Sequence, residues 1–575
     1  MRFVLAVMAV LASSFTLAGA QTVPPGTFSH IIIVVQENRT PDNLFGAWAT
    51  GGPCALSHPF AGVDIYNGGF TIRDTQRVQI CNRSQAMNAQ PATGVFDPGH
   101  SYQDWITQYH NGAMDGFCSL IMIYVACPVA PNPSPYSYIQ PSDVQPYLEI
   151  AATYGFANYM FQTNQGPSFP AHQFLFTGTS APVAPNDPQG YDWDFVRDNP
   201  PFGSEFDTSG CPFSNVSDYP FAPWIEPNRT SIGKPALPEC YTHDSLVTSA
   251  NCEGGVCDKG VTWRYYSPSP GGIIWNAPEA VPEVCYGENN LRFLGQPCGS
   301  VNGGAEWNDH MSFYSTMNNA PIFNDINTCQ LQQITWVMPD LAWSDHPFVN
   351  VSGPALGPFW VGNIVNAIGN SYVNSGGKCD YWGTKSPSPE PTAIFIVWDD
   401  WGGFYDHVAP PKFLTGVPNG SGWICPQPAT NHWGCGYTYG FRVPLLVVSE
   451  YTGTLQGKKY SGYISGACGS KGKPSCPNMN YPYVHDFGSI LAFTEHNFGL
   501  SNVDQSGNKG YADYNALDWD SAHSIAPLSD FFSLFKSSKG VGRPFVPISI
   551  NPYPATFFES YYTTHNATPT GPDTD

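Results

Sequence analysis

His30-Ile31-Ile32-Ile33-Val34-Val35-Gln36-Glu37-Asn38-Arg39-Thr40 is the stretch on which the fold prediction depends. Its apolar part, residues 31–35, consists of β-branched side chains without polar alternation, which is typical of a strand buried on both faces. Three further runs have the same character: 334–338, 393–397 and 443–448. We therefore predict four buried strands.

Helical patterns alternate with these strands. We predict helices over 147–160, from Ser168 to residue 176, over 359–368 and over 487–498. Strands that alternate with helices favour an α/β fold with a mostly parallel central sheet sandwiched by helices. In such sheets ligands bind beyond the carboxyl ends of the strands, so the polar residues at those ends decide the function.

The first twenty residues predict a secretory signal peptide. Arg2 gives a positive start, an apolar run follows over 3–17, and Ala18-Gly19-Ala20 offers a small-residue cleavage site before Gln21. The apolar run is shorter than the ~20 residues that a spanning helix needs, and no later segment is long enough. We expect a secreted or periplasmic protein without an integral membrane segment.

The rest of the chain, 21–575, predicts a single domain, because its 55 prolines and 57 glycines are spread along it rather than concentrated in one linker. Long insertions are expected near 49–95 and 182–304, where no helical or strand period is sustained. The sequence does not indicate an oligomeric state.

The cysteines and the charge describe the environment of the protein. Sixteen cysteines in an exported chain indicate disulfides rather than a zinc ribbon. Their connectivity stays open, and the closest pairs in sequence are Cys118/Cys127, Cys252/Cys257, Cys425/Cys435 and Cys468/Cys476. A net charge of −22 disfavours nucleic-acid binding, although solubility alone also explains an acidic surface.

Carboxylates follow two of the predicted strands. Glu37-Asn38 comes directly after the first, and Asp399-Asp400 follows the third and precedes Trp401-Gly402-Gly403. Adjacent carboxylates at a strand end are costly unless a cation or proton lies between them, which indicates a metal site. A solvated loop at Glu37 and an acidic turn at Asp399 are the alternatives.

Ser168 and three histidines are the remaining candidates. Ser168 follows Gly166-Pro167 and opens a predicted helix, where free N–H groups favour phosphate or an ionised serine, although an ordinary N-cap serine explains it too. His100, His310 and His346 each lie close to an aspartate in a predicted loop. Such histidines can bind a phosphoryl oxygen or protonate a leaving group, or they can be satisfied surface residues.

In chain order these segments resemble the phosphoesterase family of bacterial phospholipases C and acid phosphatases, a branch of the alkaline-phosphatase-like superfamily. The resemblance rests on residues 30–46, Gly166-Pro167-Ser168-Phe169-Pro170, Asp345-His346-Pro347, residues 399–408, Arg442-Val443-Pro444 and the helix with His485 and Glu495. It implies an alkaline-phosphatase-like α/β fold. It also implies one divalent metal ion held by Glu37, Asn38, Ser168, Asp399 and Asp400, and a phosphate pocket lined by His100 and His346, with His310 as a further histidine.

The sequence departs from the family pattern at a few positions. The family usually has Asp-Glu where this chain has Asp399-Asp400, and many of its phospholipases have Thr in place of Ser168. Both changes keep the chemistry. His172 stands where phospholipases often have Arg, which puts recognition of a bulky lipid head group in doubt and favours the acid phosphatase branch.

The resemblance therefore implies hydrolysis of phosphate esters through a phosphoseryl intermediate on Ser168. The substrate is a small phosphate ester or a phospholipid, and oxygen ligands admit calcium, magnesium, manganese or zinc. Phospholipase C is the alternative activity, and a secreted binding protein on an inactive scaffold is the alternative of another class. A sulfatase is disfavoured by His172, and G-x-S-x-G and H-E-x-x-H motifs are absent from the sequence.

Overall fold

The structure is a computed structural model. It describes residues 23–48, 62–66, 68–70, 77–79, 84–85, 96–118, 134–178, 180, 194–196, 198–199, 221–223, 245–247, 259–272, 274–287, 297–299, 305–347, 355–414, 417–419, 422–424, 435–467, 484–500, 528–537 and 541–572. The predicted signal peptide and most of the predicted insertions lie outside these residues.

A sheet of eight strands forms the centre of the described fold. In chain order the strands are β1 His30–Gln36, β2 Gly155–Ala157, β3 Trp263–Ser267, β4 Met311–Phe313, β5 Ile334–Val337, β6 Thr392–Trp398, β7 Leu445–Val448 and β8 Tyr463–Ser465. Their spatial order is β4-β3-β5-β1-β6-β7-β2-β8. The four runs identified in the sequence are therefore β1, β5, β6 and β7, which lie side by side in the middle of the sheet and are fully buried.

The sheet is mixed and mostly parallel. β4, β3, β5, β1 and β6 pair in parallel, β7 is antiparallel to its two neighbours, and β8 pairs in parallel with β2. The register of β1 and β6 aligns Gln36 with Trp398. Because both strands run in the same direction, the residues after Gln36 and after Trp398 leave the sheet next to each other.

Helices and short strand pairs surround the sheet. The helices are α1 Pro41–Leu44, α2 Tyr102–Tyr109, α3 Gln145–Thr153, α4 Ser168–Thr177, α5 Pro282–Tyr286, α6 Ala305–His310, α7 Pro321–Asn327, α8 Gly357–Gly369, α9 Ser371–Asn374, α10 Phe487–Phe498, α11 Leu534–Ser537, α12 Ala555–Glu559 and α13 Tyr561–His565. α3 packs on α8, and α4 packs on α10. None of the described helices is both long and apolar enough to cross a membrane.

Short 3-10 turns and minor strands complete the described structure. The 3-10 turns are Gly46–Trp48, His110–Gly112, Ala277–Ala280, Leu341–Trp343 and Leu528–Phe532. The minor strands are Gly68–Phe70, Arg77–Gln79, Ser84–Gln85, Tyr138–Ile139, Met160–Phe161, Asp194–Val196, Phe221–Pro223, Lys412–Leu414, Val417–Asn419, Gly422–Ile424, Cys435–Thr438, Thr454–Gln456, Lys459–Ser461 and His485–Asp486.

The predicted helices from Ser168, over 359–368 and over 487–498 are confirmed, but the helix over 147–160 is wrong after Thr153. The chain leaves the helix at Tyr154 and enters β2 at Gly155. A Cβ on Gly155 would lie 3.0 Å from the Val447 carbonyl oxygen. The strand therefore forms because this glycine lets the backbone pair closely with β7, an interaction that local sequence does not reveal.

The predicted insertion over 182–304 contributes to the central sheet. Trp263–Ser267 within it forms β3 and pairs with β4 and β5. This aromatic segment carries Arg264 and therefore lacks the apolar run that marked the other strands. Arg264 is accommodated because its Nη1 donates a hydrogen bond to Asp325 Oδ2 at 2.7 Å.

Two disulfides join described residues, Cys285–Cys298 and Cys329–Cys379. Neither pair was among the closest in sequence. Cys329–Cys379 links positions 50 residues apart, because folding brings the end of α7 beside the segment after α9. Each of the four pairs named from sequence includes a cysteine outside the described residues.

Candidate active site

Two strand ends bring three carboxylates and one amide together. The Asp399 N–H donates to the Gln36 carbonyl oxygen at 2.9 Å, and the Arg39 N–H donates to the Asp400 carbonyl oxygen at 3.0 Å. The two segments of the chain thus continue side by side beyond β1 and β6. Glu37, Asn38, Asp399 and Asp400 are all fully buried at this edge.

Ser168 joins this group from the first turn of α4. Its hydroxyl donates a hydrogen bond to Asp400 Oδ2 at 3.2 Å, and the whole helix is buried. Pro167 precedes the helix and provides no side-chain cap, so Ser168 is the first helical residue rather than the N-cap. The ordinary N-cap explanation of this serine is therefore not what the structure shows.

His172 is a member of the site that the ligand prediction did not include. Its Nε2 lies 3.5 Å from Glu37 Oε1 and 3.6 Å from Asp399 Oδ2. His172 follows Ser168 by four residues, so both side chains lie on one face of α4. That four-residue spacing is the sequence signal for His172, which is otherwise only a departure from the family pattern.

The group has the composition of a cation site. Glu37, His172 and Asp399 each direct one ligand atom into a space where these atoms lie within 4.8 Å of one another. Burial raises the pKa of Asp399 well above its usual range, and the neighbouring Glu37 carboxylate raises it further. A bound cation would remove this cost, so the residues present fit a divalent metal.

Asn38 connects the carboxylates to the histidines. Its backbone N–H donates to Asp399 Oδ1 at 3.0 Å, and its Nδ2 donates to His100 Nε2 at 3.2 Å. Its Oδ1 is buried and meets no hydrogen-bond donor among the described residues. The amide oxygen is thus the atom of Asn38 that can serve as a metal ligand.

His100 and His346 lie next to each other at this site. Their ring centroids are 6.1 Å apart, and both side chains are buried. His100 Nδ1 lies 2.8 Å from the Pro98 carbonyl oxygen and 3.9 Å from Asp97 Oδ1. Because Nδ1–H donates to Pro98, Nε2 is the acceptor that faces Asn38.

His310 lies elsewhere in the structure. Its ring stacks on Trp263 with centroids 4.3 Å apart, and its Nδ1 contacts the Trp263 carbonyl oxygen at 2.8 Å. Trp263 is the first residue of β3, at the amino end of the strand. The carboxylates follow the carboxyl ends of the parallel strands, whereas His310 lies at the amino ends of the strands. His310 is therefore not a third histidine of this site.

The model of the phosphoesterase family matches residues 28–501. The match spans well over half of the chain and contains every residue of the site. The chain belongs to the phosphoesterase family.

Relatives of the chain include bacterial phospholipases C. The non-hemolytic phospholipase C of Burkholderia pseudomallei is 21% identical over 451 residues, which cover 74% of this chain and 51% of that protein. Phospholipase C A of Mycobacterium tuberculosis is 24% identical over 439 residues, 74% of this chain and 68% of that protein. Phospholipase C B of Mycobacterium tuberculosis is 26% identical over 247 residues, 41% and 40%. The chain thus spans about half the length of the first of these phosphoesterases.

A second charged group lies within the part of the chain that the family model matches. Asp42, Asp406 and His407 bring ligand atoms within 4.8 Å of one another. However, Arg442 already supplies a buried cation there: Nε and Nη2 donate to the two Asp406 oxygens at 2.8 and 2.9 Å. The bidentate pair with an arginine identifies this group as a structural ion network rather than a metal site.

Proposed function

We propose that the chain is a metal-dependent phosphoesterase that hydrolyses phosphate esters through a phosphoseryl intermediate, as acid phosphatases of the family do. The observation that carries the proposal is the hydrogen bond of Ser168 to Asp400, made at the start of a helix and beside Glu37, His172 and Asp399. A nucleophile, a carboxylate partner and a cation site thus meet in one place.

Ser168 acts as the nucleophile. Its Oγ forms a bond to phosphorus while the bond from phosphorus to the leaving oxygen breaks, and water then breaks the Oγ–phosphorus bond to release phosphate. Asp400 orients the hydroxyl through the observed hydrogen bond and accepts its proton as Oγ attacks; the proton returns to Oγ when water releases the phosphate. The first turn of α4 adds backbone N–H groups whose dipoles favour the negative charge of the transferred group.

Glu37, Asn38, Asp399 and Asp400, together with Ser168 and His172, are the residues that would hold the metal. When bound there, a divalent ion would lower the pKa of the serine hydroxyl and neutralise charge on the phosphoryl oxygens. The buried carboxylates balance that ion and fix its place. Oxygen ligands admit calcium, magnesium, manganese or zinc, and the His172 nitrogen favours zinc.

His100 and His346 line the pocket for the transferred group, and His346 supplies a proton to the leaving oxygen. They are adjacent and buried, and the contact of His100 with the Pro98 carbonyl oxygen holds its ring orientation. Release of an alkoxide leaving group needs a proton donor within hydrogen-bond reach of the leaving oxygen.

Phospholipase C activity is the second candidate. It is supported by the names of the relatives, although their identity to this chain is 21% to 26%. A third candidate, a binding protein on an inactive scaffold, is disfavoured because Glu37, Asn38, Ser168 and the Asp399-Asp400 pair are all present and assembled.

The experiment is release of p-nitrophenol from its phosphate monoester and from its phosphorylcholine diester at pH 4 to 8, with and without a chelator. Chelator-sensitive monoester turnover that Ser168→Ala abolishes is the expected result. Ser375→Ala is the matched control, because among the described residues this buried serine hydroxyl makes hydrogen bonds only within 372–379. Preference for the diester would select phospholipase C, and full activity of Ser168→Ala would exclude the nucleophile.

The proposal extends to the setting of the enzyme. The fold is proposed to be of the alkaline-phosphatase-like type, with insertions near 49–95 and, before β3, within 182–304. The protein is proposed to be exported after removal of residues 1–20. Sequencing of the amino terminus of the protein from culture medium or periplasm checks this, since a chain that begins near Gln21 is expected.

A further inference from the structure

Two adjacent residues of the predicted insertion contact the first turns of α2, which begins just after His100, and α4, which begins at Ser168. Asp198 Oδ1 accepts a hydrogen bond from the Tyr102 N–H at 2.7 Å, and Asn199 Oδ1 accepts one from the Phe169 N–H at 2.8 Å. Tyr102 begins α2, two residues after His100, and Phe169 is the second residue of α4, next to Ser168.

Both N–H groups lie in the first turn of their helices. The first four N–H groups of a helix have no acceptor within it, and a flanking side chain usually supplies one. Pro167 at the start of α4 cannot do this, and at the start of α2 the Ser101 side chain accepts from Asp104 instead. Asp198 and Asn199 therefore act as caps supplied from a distant part of the chain.

The two caps are covalently linked, which fixes the distance between the helix ends. Consecutive Cα atoms are about 3.8 Å apart, so the starts of α2 and α4 cannot separate while both hydrogen bonds exist. Asn199 is only partly buried, and its side chain makes no second hydrogen bond or ion pair among the described residues. Its one observed partner is the N–H beside the nucleophile.

We infer that Asp198 and Asn199 form a clip that positions Ser168 relative to His100, and that Asn199 is a positioning residue for the phosphoryl transfer. This inference rests on the proposed function. It gives the insertion a role in the reaction: the clip aligns the nucleophile with the histidine across the phosphoryl group. Misalignment by a fraction of an ångström slows such a reaction without removing any reacting group.

Amide hydrogen exchange resolved to single residues tests the clip without reference to activity. Asn199→Ala is expected to increase the exchange rate of the Phe169 amide by about tenfold and that of the Tyr102 amide to a smaller extent. Asn199→Asp keeps the acceptor oxygen and is expected to retain the protection. Unchanged exchange of Phe169 in Asn199→Ala would overturn the clip.

Kinetics test its role in positioning. Asn199→Ala is expected to lower kcat for the monoester by about tenfold with little change in KM, and Asn199→Asp is expected to restore kcat. The control is Asn366→Ala, since Asn366 is also partly buried and its Oδ1 accepts the Ile548 N–H at 2.9 Å away from the site.

The other outcomes are equally decisive. A lower KM with unchanged kcat in Asn199→Ala would mean that Asn199 competes with the substrate for the Phe169 N–H, and would overturn the positioning role. An equal loss of kcat in Asn366→Ala would do the same. If the wild type hydrolyses no phosphate ester while the exchange result holds, the proposed function fails and the clip stands as a structural feature.

Discussion

Gly402 lies so close to Asn38 that a Cβ atom added to Gly402 would come within 2.5 Å of both the Cβ and the carbonyl oxygen of Asn38. Both residues have left-handed backbones, with φ of 57° and 58°. Glycine adopts this conformation freely, and asparagine tolerates it better than most residues. This close approach holds Asn38 between the carboxylates and His100. Only a glycine after Trp401 leaves room for it.

Gly402→Ala is expected to lower activity and metal affinity by at least about tenfold, because the added methyl group must displace Asn38. Isothermal titration with the metal and turnover of the monoester measure the two effects. Gly457→Ala is the matched control: its φ is 65°, but a Cβ there meets nothing within 4 Å. It introduces only the backbone strain of about 1 kcal/mol. Equal effects of the two variants would show that strain, not contact with Asn38, is responsible.

The ion network around Arg442 includes a second cation, the side chain of His407, which lies between two aspartates. His407 Nδ1 lies 2.8 Å from Asp42 Oδ2, and its Nε2 lies 3.2 Å from Asp64 Oδ1. Burial lowers the pKa of His407, but Asp42 and Asp64 outweigh burial and raise it to about 10. Burial raises the pKa of Asp64, and the contacts with His407 and Arg442 outweigh burial and lower it to about 2.

His407→Gln is expected to destabilise the protein by about 3 kcal/mol at pH 6, because it leaves buried carboxylates with one cation fewer. The raised pKa of His407 means that its stabilisation is complete below pH 6.5 and is lost as the pH rises through 10. The difference in unfolding free energy between wild type and variant should therefore shrink between these values. His496→Gln is the control, since His496 contacts the Val23 carbonyl oxygen and no described carboxylate. A difference that stays constant to pH 10 would contradict the charged state of His407.

The buried carboxyl group of Asp345, next to His346, should make the stability of the protein depend on pH in a lower range than His407 does. Burial raises the pKa of Asp345 to about 7, against the opposing effect of Arg39. A raised carboxyl pKa stabilises the fold below the unfolded value of 3.8, and this stabilisation is lost as the pH rises through 7. Asp345→Asn should remove that loss, about 3 kcal/mol between pH 4 and 8 in urea unfolding. The amide oxygen can still accept from Tyr147 and Trp398, which both donate to Asp345 Oδ2 at 2.9 Å.

Tyr147→Phe provides the complementary test for Asp345. It removes a donor that favours the ionised carboxyl group, so the pH window should move upward rather than disappear. The two variants together separate titration of Asp345 from a general weakening of the core. An Asp345→Asn protein with the wild-type pH profile would assign the titration to another group.

The strand ends could be predicted from sequence because burial on both faces leaves a local record. The apolar runs of β1 and β6 stop at Gln36 and Trp398, and parallel pairing then brings Glu37 and Asp399 together without further information. The start of α4 was similarly local, since Gly166-Pro167 ends the preceding segment.

The remaining features depend on contacts between distant segments. His310 lies at the amino ends of the strands because its ring stacks on Trp263, a residue 47 positions earlier. β3 carries no apolar run, because it contains Arg264. The sheet tolerates this arginine because Asp325, from a different part of the chain, neutralises its charge. The pairing of Cys329 with Cys379 and the network around Arg442 likewise require the tertiary fold, which no local periodicity records.

His172 provides the final prediction. An imidazole nitrogen facing Glu37 and Asp399 suits zinc, whereas an all-oxygen set suits calcium, magnesium or manganese. The wild type should therefore retain zinc after dialysis against equal concentrations of these four ions. His172→Gln replaces the nitrogen with an amide oxygen and should shift the retained ratio toward calcium or magnesium by about tenfold.

Elemental analysis of the dialysed proteins measures this ratio directly and does not depend on turnover. His172→Arg distinguishes ligation from simple charge balance: a fixed cation beside Glu37 and Asp399 should reduce the total metal bound rather than change its identity, because it neutralises the carboxylates that attract the ion. If His172→Gln keeps the wild-type ratio of metals, His172 lies beside the ion without ligating it. In that case the oxygen atoms of Glu37, Asn38, Asp399 and Asp400 alone determine which metal binds.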